Sequence, residues 1–369
     1  MVTFLPSHPG RLADVPAFTR TIGGAESNVA CALAAAGHPV KWISRVGSDG
    51  FGDHLVEAIG AYGVDTSAVR RDAAGRPTGI YFRTATDRST TAHEVAYYRA
   101  GSAASAMSPR TMDRAALWSG RVLHLSGITA ALSDDCRALM RELSERRPGR
   151  PLLSFDVNHR PALWREATGP DSGPRVLLDL ARGADLVFVG DDEAAQLWDL
   201  HSPEAVRAAL PEPAVLVVKA GADGATAFVR DTAGGVRGTG TGTGTGTGSG
   251  TGTGTGSGTG TDTVTSVPAL AVDVVAPVGA GDAFAAGFLS ATLRDLPTAA
   301  RLRHGHLMAA AVLTDAGDVC VPPARAHADR LAALDDAAWG ALRLGPGWTG
   351  TATGTATDGA TRQESVPTT

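Results

Sequence analysis

Gly279-Ala280-Gly281-Asp282 puts a carboxylate directly after a glycine turn, where an apolar helix begins. The backbone N–H groups of Gly279, Ala280 and Gly281 lie unpaired at such a helix start. With the helix dipole they form an anion site. A carboxylate beside that site repels a phosphate. Asp282 makes sense there if it takes a proton from a hydroxyl attacking phosphorus, which is phosphoryl transfer to an alcohol. The same residues also read as an ordinary turn and helix cap. Taken alone, the stretch supports both readings equally.

Other polar groups punctuate the chain where ligands bind in α/β proteins. Gly23-Gly24-Ala25-Glu26-Ser27-Asn28 opens a helix, with Asn28 in its first turn. Glycines there permit close backbone approach by a ligand, or simply a turn. Val157-Asn158-His159-Arg160 follows the strand Pro151–Asp156, at the carboxyl end where such folds place ligands. Tyr81, Arg83, Tyr97 and Arg99 lie on two short strands without a helix between them. Cross-strand packing is the simpler reading of these four, and a lid over a polar ligand is the other. Asp191, Asp192 and Glu193 share one first helical turn, which suits the dipole and competes with a magnesium role for Glu193. His304 and His306 are two apart, so they do not share a helix face as metal ligands would.

The elements that must position these groups alternate. Strand-like runs at Val40–Val46, Val122–Ser126, Pro151–Asp156, Asp185–Val189 and Ala214–Lys219 are separated by helical stretches. That rhythm predicts a mostly parallel central sheet flanked by helices. A strand at Ala269–Val275 leads into the glycine turn, helices follow at Phe284–Leu293 and Thr298–Leu313, and a last amphipathic helix spans Ala328–Leu342. Residues 238–261 alternate Gly and Thr and have almost nothing apolar to bury, so they are expected to be disordered between two strands. No Gly-Lys-Ser/Thr follows, so the tract is not a phosphate loop. The 369 residues are 43% hydrophobic and 19% charged, as in a packed globular chain. A net charge of −5 argues against a nucleic-acid partner. No apolar run reaches the length of a membrane span. Three scattered cysteines, Cys31, Cys136 and Cys320, suggest a reducing cytoplasm.

Taken together and in order, four stretches resemble the ribokinase-like family of carbohydrate kinases. They are Gly23-Gly24 to Asn28, Val46-Gly47-x-Asp49-x-Phe51-Gly52, Lys219-x-Gly221-x-x-Gly224 and Gly279-Ala280-Gly281-Asp282. Pro77–Phe82, Tyr97–Ala103 and Leu123–Ile128 are similar to 2-keto-3-deoxygluconate kinases within it. The resemblance implies a three-layer α/β fold with a small β-sheet lid, ATP and Mg²⁺ as cofactors, and a small sugar acid as substrate. Asp282 becomes the general base, with Gly279, Ala280 and Gly281 as the anion hole. Gly24, Asn28, Tyr81, Tyr97, Arg99 and Arg160 match substrate-contacting positions. Asn158, Arg160, Lys219, Gly221, Gly224 and His306 match the nucleotide side, and Glu193 matches an acid acting on magnesium through water. A carboxylate-bearing substrate suits Arg99 and Arg160. A homodimer through the lid sheet is a further implication.

The implied organisation is one kinase domain over residues 1–343, with lid strands at about 1–20 and 76–100 and a disordered tail at 344–369. The chain departs from the family pattern at four places. A glycine-bearing strand that precedes the equivalent of Met1-Val2-Thr3 is absent, so a central strand is expected to be missing. Ala276 and Pro277 replace an Asp and a Thr tied to a monovalent-cation site. Gly190 replaces an Asn ahead of Glu193, and His306 replaces an Asn near the adenine pocket. The alternatives are a kinase of a neutral sugar such as fructose or ribose, and a non-catalytic sugar- or nucleotide-binding protein.

Overall fold

Two sheets divide the work of the chain, one forming its core and one covering the site. A computed structural model describes residues 1–8, 10–84, 95–164, 169–230, 261–276, 278–315, 317, 319 and 321–350. In chain order the strands are β1 (Val2–Pro6), β2 (Phe18–Ile22), β3 (Arg45–Gly47), β4 (Arg70–Asp72), β5 (Ile80–Arg83) and β6 (Val95–Tyr98). There follow β7 (Val122–Ser126), β8 (Leu152–Asp156), β9 (Leu186–Gly190), β10 (Val215–Lys219), β11 (Ala225–Arg230), β12 (Asp262–Val267), β13 (Ala271–Val272) and β14 (Arg343–Leu344).

The central sheet runs β12-β11-β10-β9-β8-β7. The strands β7 to β10 are parallel, and β11 and β12 add antiparallel hairpin-like pairs. Parallel strands covered on both faces read as near-continuous apolar runs, and Leu186–Val189 and Leu216–Val218 are all at most 1% exposed. Successive side chains alternate between faces. Val187, Val189, Leu216 and Val218 pack towards the helices Asp134–Ser144 and Gly173–Gly183. Leu186, Phe188 and Val217 pack towards Phe284 and Phe288 on the helix Ala280–Leu293. The result is three layers, helix–sheet–helix, as the alternation of elements predicts.

A second sheet, ordered β2-β1-β5-β6, stands outside the first. In it β1 runs parallel to β5 and antiparallel to β2, and β6 is antiparallel to β5. Phe4, Phe82 and Phe18 hold it together through ring contacts of 4.7 and 5.1 Å.

The structure differs from the sequence expectations at several elements. The run Val40–Val46 is a strand only from Arg45; before it, Val40 and Trp42 exchange backbone hydrogen bonds with Asp65 and make a single bridge. Ala269–Val275 shrinks to the two residues of β13. Ala328–Leu342 is two helices, Arg325–Ala332 and Asp336–Ala341, because the Asp335 side chain accepts from Ala338 N and starts a new helix. Leu344, the first residue of the expected tail, is buried in β14, and Trp348 donates to Thr314. Residues 351–369 and most of the Gly-Thr tract, 238–260, lie outside the described residues. The strands on either side of that tract pair directly, with Arg230 opposite Asp262.

The strand β7 is the outermost of the central six. Beside it lies a cavity lined by Trp42, Leu123, Leu125 and Met140. No further strand pairs with that edge among the described residues.

Candidate active site

Asp282 is the third residue of its helix, Ala280–Leu293, and Gly279 is the N-cap. Gly279 has φ 85°, a left-handed conformation that glycine adopts without a steric penalty. Asp282 is therefore not the cap of its own helix. Its carboxylate points across the cavity instead. Asn28 Nδ2 donates to Oδ2 at 2.8 Å, and Asn158 Nδ2 donates to Oδ1 at 3.4 Å.

Packing explains how residues 254 positions apart meet. The helix Ala25–Ala35 lays Val29, Ala32 and Leu33 into the same apolar cluster as Phe284, Phe288 and Leu289. The two helix starts are thereby held together, and Asn28 in one faces Asp282 in the other. Gly24 caps the first of these helices at φ 143°, and a Cβ there would lie 2.9 Å from Ser27 Oγ. Asn158 arrives from the carboxyl end of β8. It has φ 44°, a region where asparagine is one of the few tolerated side chains. Burial pushes the pKa of Asp282 up to about 7, and the charge of Asp156 adds to the rise. The Asn28 hydrogen bond, Lys219 and Arg160 oppose it. A carboxyl poised near neutrality suits a general base.

The lid closes the other side. Gly24, Asn28, Tyr81, Tyr97, Arg99 and Arg160 all line one cavity of about 750 Å³ with Asn158, Gly279 and Asp282. The volume includes the apolar extension along β7. Tyr81 and Tyr97 lie opposite each other on β5 and β6 with rings 5.4 Å apart. The Arg99 guanidinium sits 4.5 Å over the Tyr97 ring. Packing and lid readings of these strands thus hold together: the tyrosines pack on one another while facing the cavity.

Lys219, at the end of β10, reaches the opposite side of the same helix start. Its Nζ pairs with Asp156 Oδ1 and Oδ2 at 3.1 and 3.0 Å. Gly221 and Gly224 follow in a tight turn with φ 51° and 126°, closed by Ala220 N to Gly224 O at 2.8 Å. A Cβ on Gly224 would lie 2.3 Å from Val267 O, so that glycine is required by the neighbouring strand end. Gly221 faces open space.

Two expected site residues, Glu193 and His306, are bonded within the protein itself. The carboxylate oxygens of Glu193 accept from His159 N at 2.8 Å and Gly190 N at 2.9 Å. Glu193 ties its own helix start to the end of β8. His306 is buried, edge-on to Phe284 at 5.1 Å and 3.2 Å from Val267 O, and it does not line the cavity. Burial lowers its pKa to about 4, so it is neutral there. Ala276 is buried, and Pro277 lies outside the described residues. Sequence reasoning missed Asp156 and the Thr129 hydroxyl, which donates to Glu26 at 2.5 Å beside the cavity. Asp156 was legible in one respect: it ends a strand two residues before Asn158.

An ATP triphosphate fits this chemistry. The Lys219 ammonium lies against Gly281 at the start of the Asp282 helix, and a helix start with a cation beside it suits phosphate oxygens. No group of three metal-ligating side chains occurs among the described residues. Magnesium is commonly held by phosphates and waters with only one or two carboxylates, so that does not conflict with a nucleotide-borne ion.

The relationship to known proteins agrees with this geometry. Residues 2–324 match the pfkB family of carbohydrate kinases, and the chain belongs to that family. It is an ATP-dependent sugar kinase with a ribokinase-like fold. The 2-dehydro-3-deoxygluconokinase of Bacillus subtilis (strain 168) is 31% identical over 88% of this chain and 90% of its own length. That of Thermoproteus tenax is 36% identical over 60% of this chain and 66% of its own. A probable chloroplastic fructokinase of Arabidopsis thaliana is 28% identical over 80% and 69%. The crystal structure of a PfkB protein from Polaromonas sp. JS666 superposes with a TM-score of 0.69 at 32% identity, covering 89% of this chain and 96% of that one. No helix among the described residues is long and apolar enough to cross a membrane.

Proposed function

We propose that the chain phosphorylates the primary hydroxyl of a sugar acid, 2-keto-3-deoxygluconate, to its 6-phosphate. The acceptor oxygen bonds to the γ-phosphorus of ATP and its proton passes to Asp282, while the bond to the β-phosphate oxygen breaks and ADP leaves. The Gly279, Ala280 and Gly281 amides face the charge that develops on the transferred group. Magnesium would accompany the nucleotide, with Glu193 as the acid that the family resemblance pairs with it through water. Asn28 and Asn158 orient the Asp282 carboxylate.

The observation that carries the acid substrate is the pair Arg99 and Arg160. Both line the cavity, and burial together with the Arg160 charge lowers the pKa of Arg99. Arg99 makes no ion pair among the described residues, and its Nε is buried without a hydrogen-bond partner. A substrate carboxylate supplies what these guanidinium groups lack. Two relatives named for the same sugar acid support this choice.

A coupled ADP-release assay over sugar acids and neutral sugars tests the reading. Arg99→Ala is expected to raise KM for the sugar acid by about tenfold or more, the worth of one charge-assisted hydrogen bond, and to leave a neutral sugar nearly unchanged. Equal effects on both would assign a neutral substrate. A cytoplasmic location fits the two buried free thiols, Cys31 and Cys136. The outer lid strand leaves Tyr98 64% exposed, which suits pairing of lids in a homodimer.

A further inference from the structure

The pair Lys219–Asp156 has a place in the site that a nucleotide-binding turn does not require. The strand register shows why the two meet. Asp156 lies opposite Phe188, and Lys219 lies opposite Gly190, two residues further along the same strand. Directly paired residues share a face, so both side chains leave the sheet on the Phe188 side. That face packs on the Asp282 helix, with Phe188 and Phe288 rings 5.4 Å apart. Gly190 between them carries no side chain, so the lysine spans from β10 towards β8. A Cβ built on Gly281 would lie 3.6 Å from Lys219 Nζ, which puts the ammonium group against the second residue of that helix.

The group is also kept charged in a place where charge is costly. Burial works against the ammonium, but Asp156, Glu193 and Asp282 outweigh it and raise its pKa. A buried ion pair is weak evidence for stability, since its desolvation offsets much of its attraction. Here the cation lies at the one helix start where transferred negative charge would have to sit, and its partner is 2% exposed on the side away from solvent.

We propose that Lys219 donates to the oxygens of the phosphoryl group during its transfer, and that Asp156 is the positioning residue that aims it. This rests on the reading of Asp282 as the base in phosphoryl transfer. The chemistry is unchanged in its balance: the acceptor O–P bond forms, the bridging P–O bond breaks, and Lys219 neither gains nor loses its proton.

The test compares Lys219→Met, Lys219→Arg and Asp156→Asn in the full chain. It measures kcat, KM for both substrates, ADP affinity by calorimetry, and the pH profile of kcat/KM. Lys219→Met is expected to lose about 100-fold in kcat, as for one oxyanion-stabilising donor, with ADP affinity within about threefold. Lys219→Arg should recover about tenfold of that loss, because it restores the charge with altered geometry. The acid limb of the profile should move to higher pH in Lys219→Met, since that charge holds the Asp282 pKa down, and to lower pH in Asp156→Asn, since that charge holds it up. Unchanged kcat with lost ADP affinity would make Lys219 a nucleotide-binding residue and overturn the proposal. Unchanged kcat and an unmoved limb would make the pair purely structural and also overturn it. If Lys219→Met does not fold, the limb shift in Asp156→Asn decides. Failure of the underlying reading looks different: Asp282→Asn would then turn over like the wild type, whatever Lys219 does.

Discussion

Asp282 and Glu193 occupy the same position in two helices, yet the structure treats them in opposite ways. Each is the third residue of a helix that follows a strand region, and each helix has a glycine N-cap, Gly279 or Gly190. Glu193 turns back on its own helix. One oxygen takes the Gly190 amide and the other takes the His159 amide, so the carboxylate is used up by backbone. Asp282 is one methylene shorter, and its cap residue is left-handed rather than extended. Its carboxylate does not reach back; it faces the cavity and takes two asparagine side chains. Glu193 thus takes two backbone amides, whereas both donors to Asp282 are side chains. An acid at a helix start is therefore uninformative by itself. What its oxygens bond to decides whether it stabilises the fold or serves chemistry.

The sharpest way to break this comparison is to neutralise both acids. Asp282→Asn is expected to lose at least about 100-fold in kcat, the lower bound for loss of a general base, while ADP binding persists. Glu193→Gln keeps an oxygen for one of its two amides and is expected to lose less than about tenfold. Similar losses in single-turnover measurements would mean that the two carboxylates do related work. The pH dependence sharpens the same contrast. The base must be deprotonated to act, so kcat/KM should rise with pH through a midpoint near about 7. That limb should be absent in Asp282→Asn and unmoved in Glu193→Gln.

Much of this was legible in the sequence, for physical reasons that also explain the failures. The strands β8, β9 and β10 announce themselves because a sheet buried on both faces needs unbroken apolar runs. Asp282 stood out because a charge next to a glycine turn conflicts with the anion site that the turn creates. Partners fixed by packing were harder to see. Nothing local links Lys219 to Asp156, 63 residues earlier, because their meeting depends on the register of two strands through a third. The sequence gives no sign that His306, expected on the nucleotide side, packs against Phe284. The helix Thr298–Leu313 is buried on most sides, so its polar residues are absorbed into the core. The single helix expected over Ala328–Leu342 has a continuous apolar pattern, and only the Asp335 cap, a local competition for backbone N–H groups, divides it.

The smallest expected effect concerns stability, and its sign differs between the two acids. Glu193→Ala leaves the Gly190 and His159 amides unpaired and should cost about 1 kcal/mol, as for loss of a helix cap. Asp282 behaves the other way. Its folded-state pKa is raised from 3.8 to about 7, so between those values the native chain holds a proton that the unfolded chain has released. Stability from this group is full at low pH and is lost as pH rises through about 7. Asp282→Asn removes that liability while retaining a polar group for Asn28. Above neutral pH the variant should melt higher than the wild type, by about 2 °C or more, and the gap should close towards pH 5. A variant less stable than the wild type at pH 8 would show that the Asp282 carboxylate stabilises the fold as Glu193 does, and the two helix starts would no longer differ in kind.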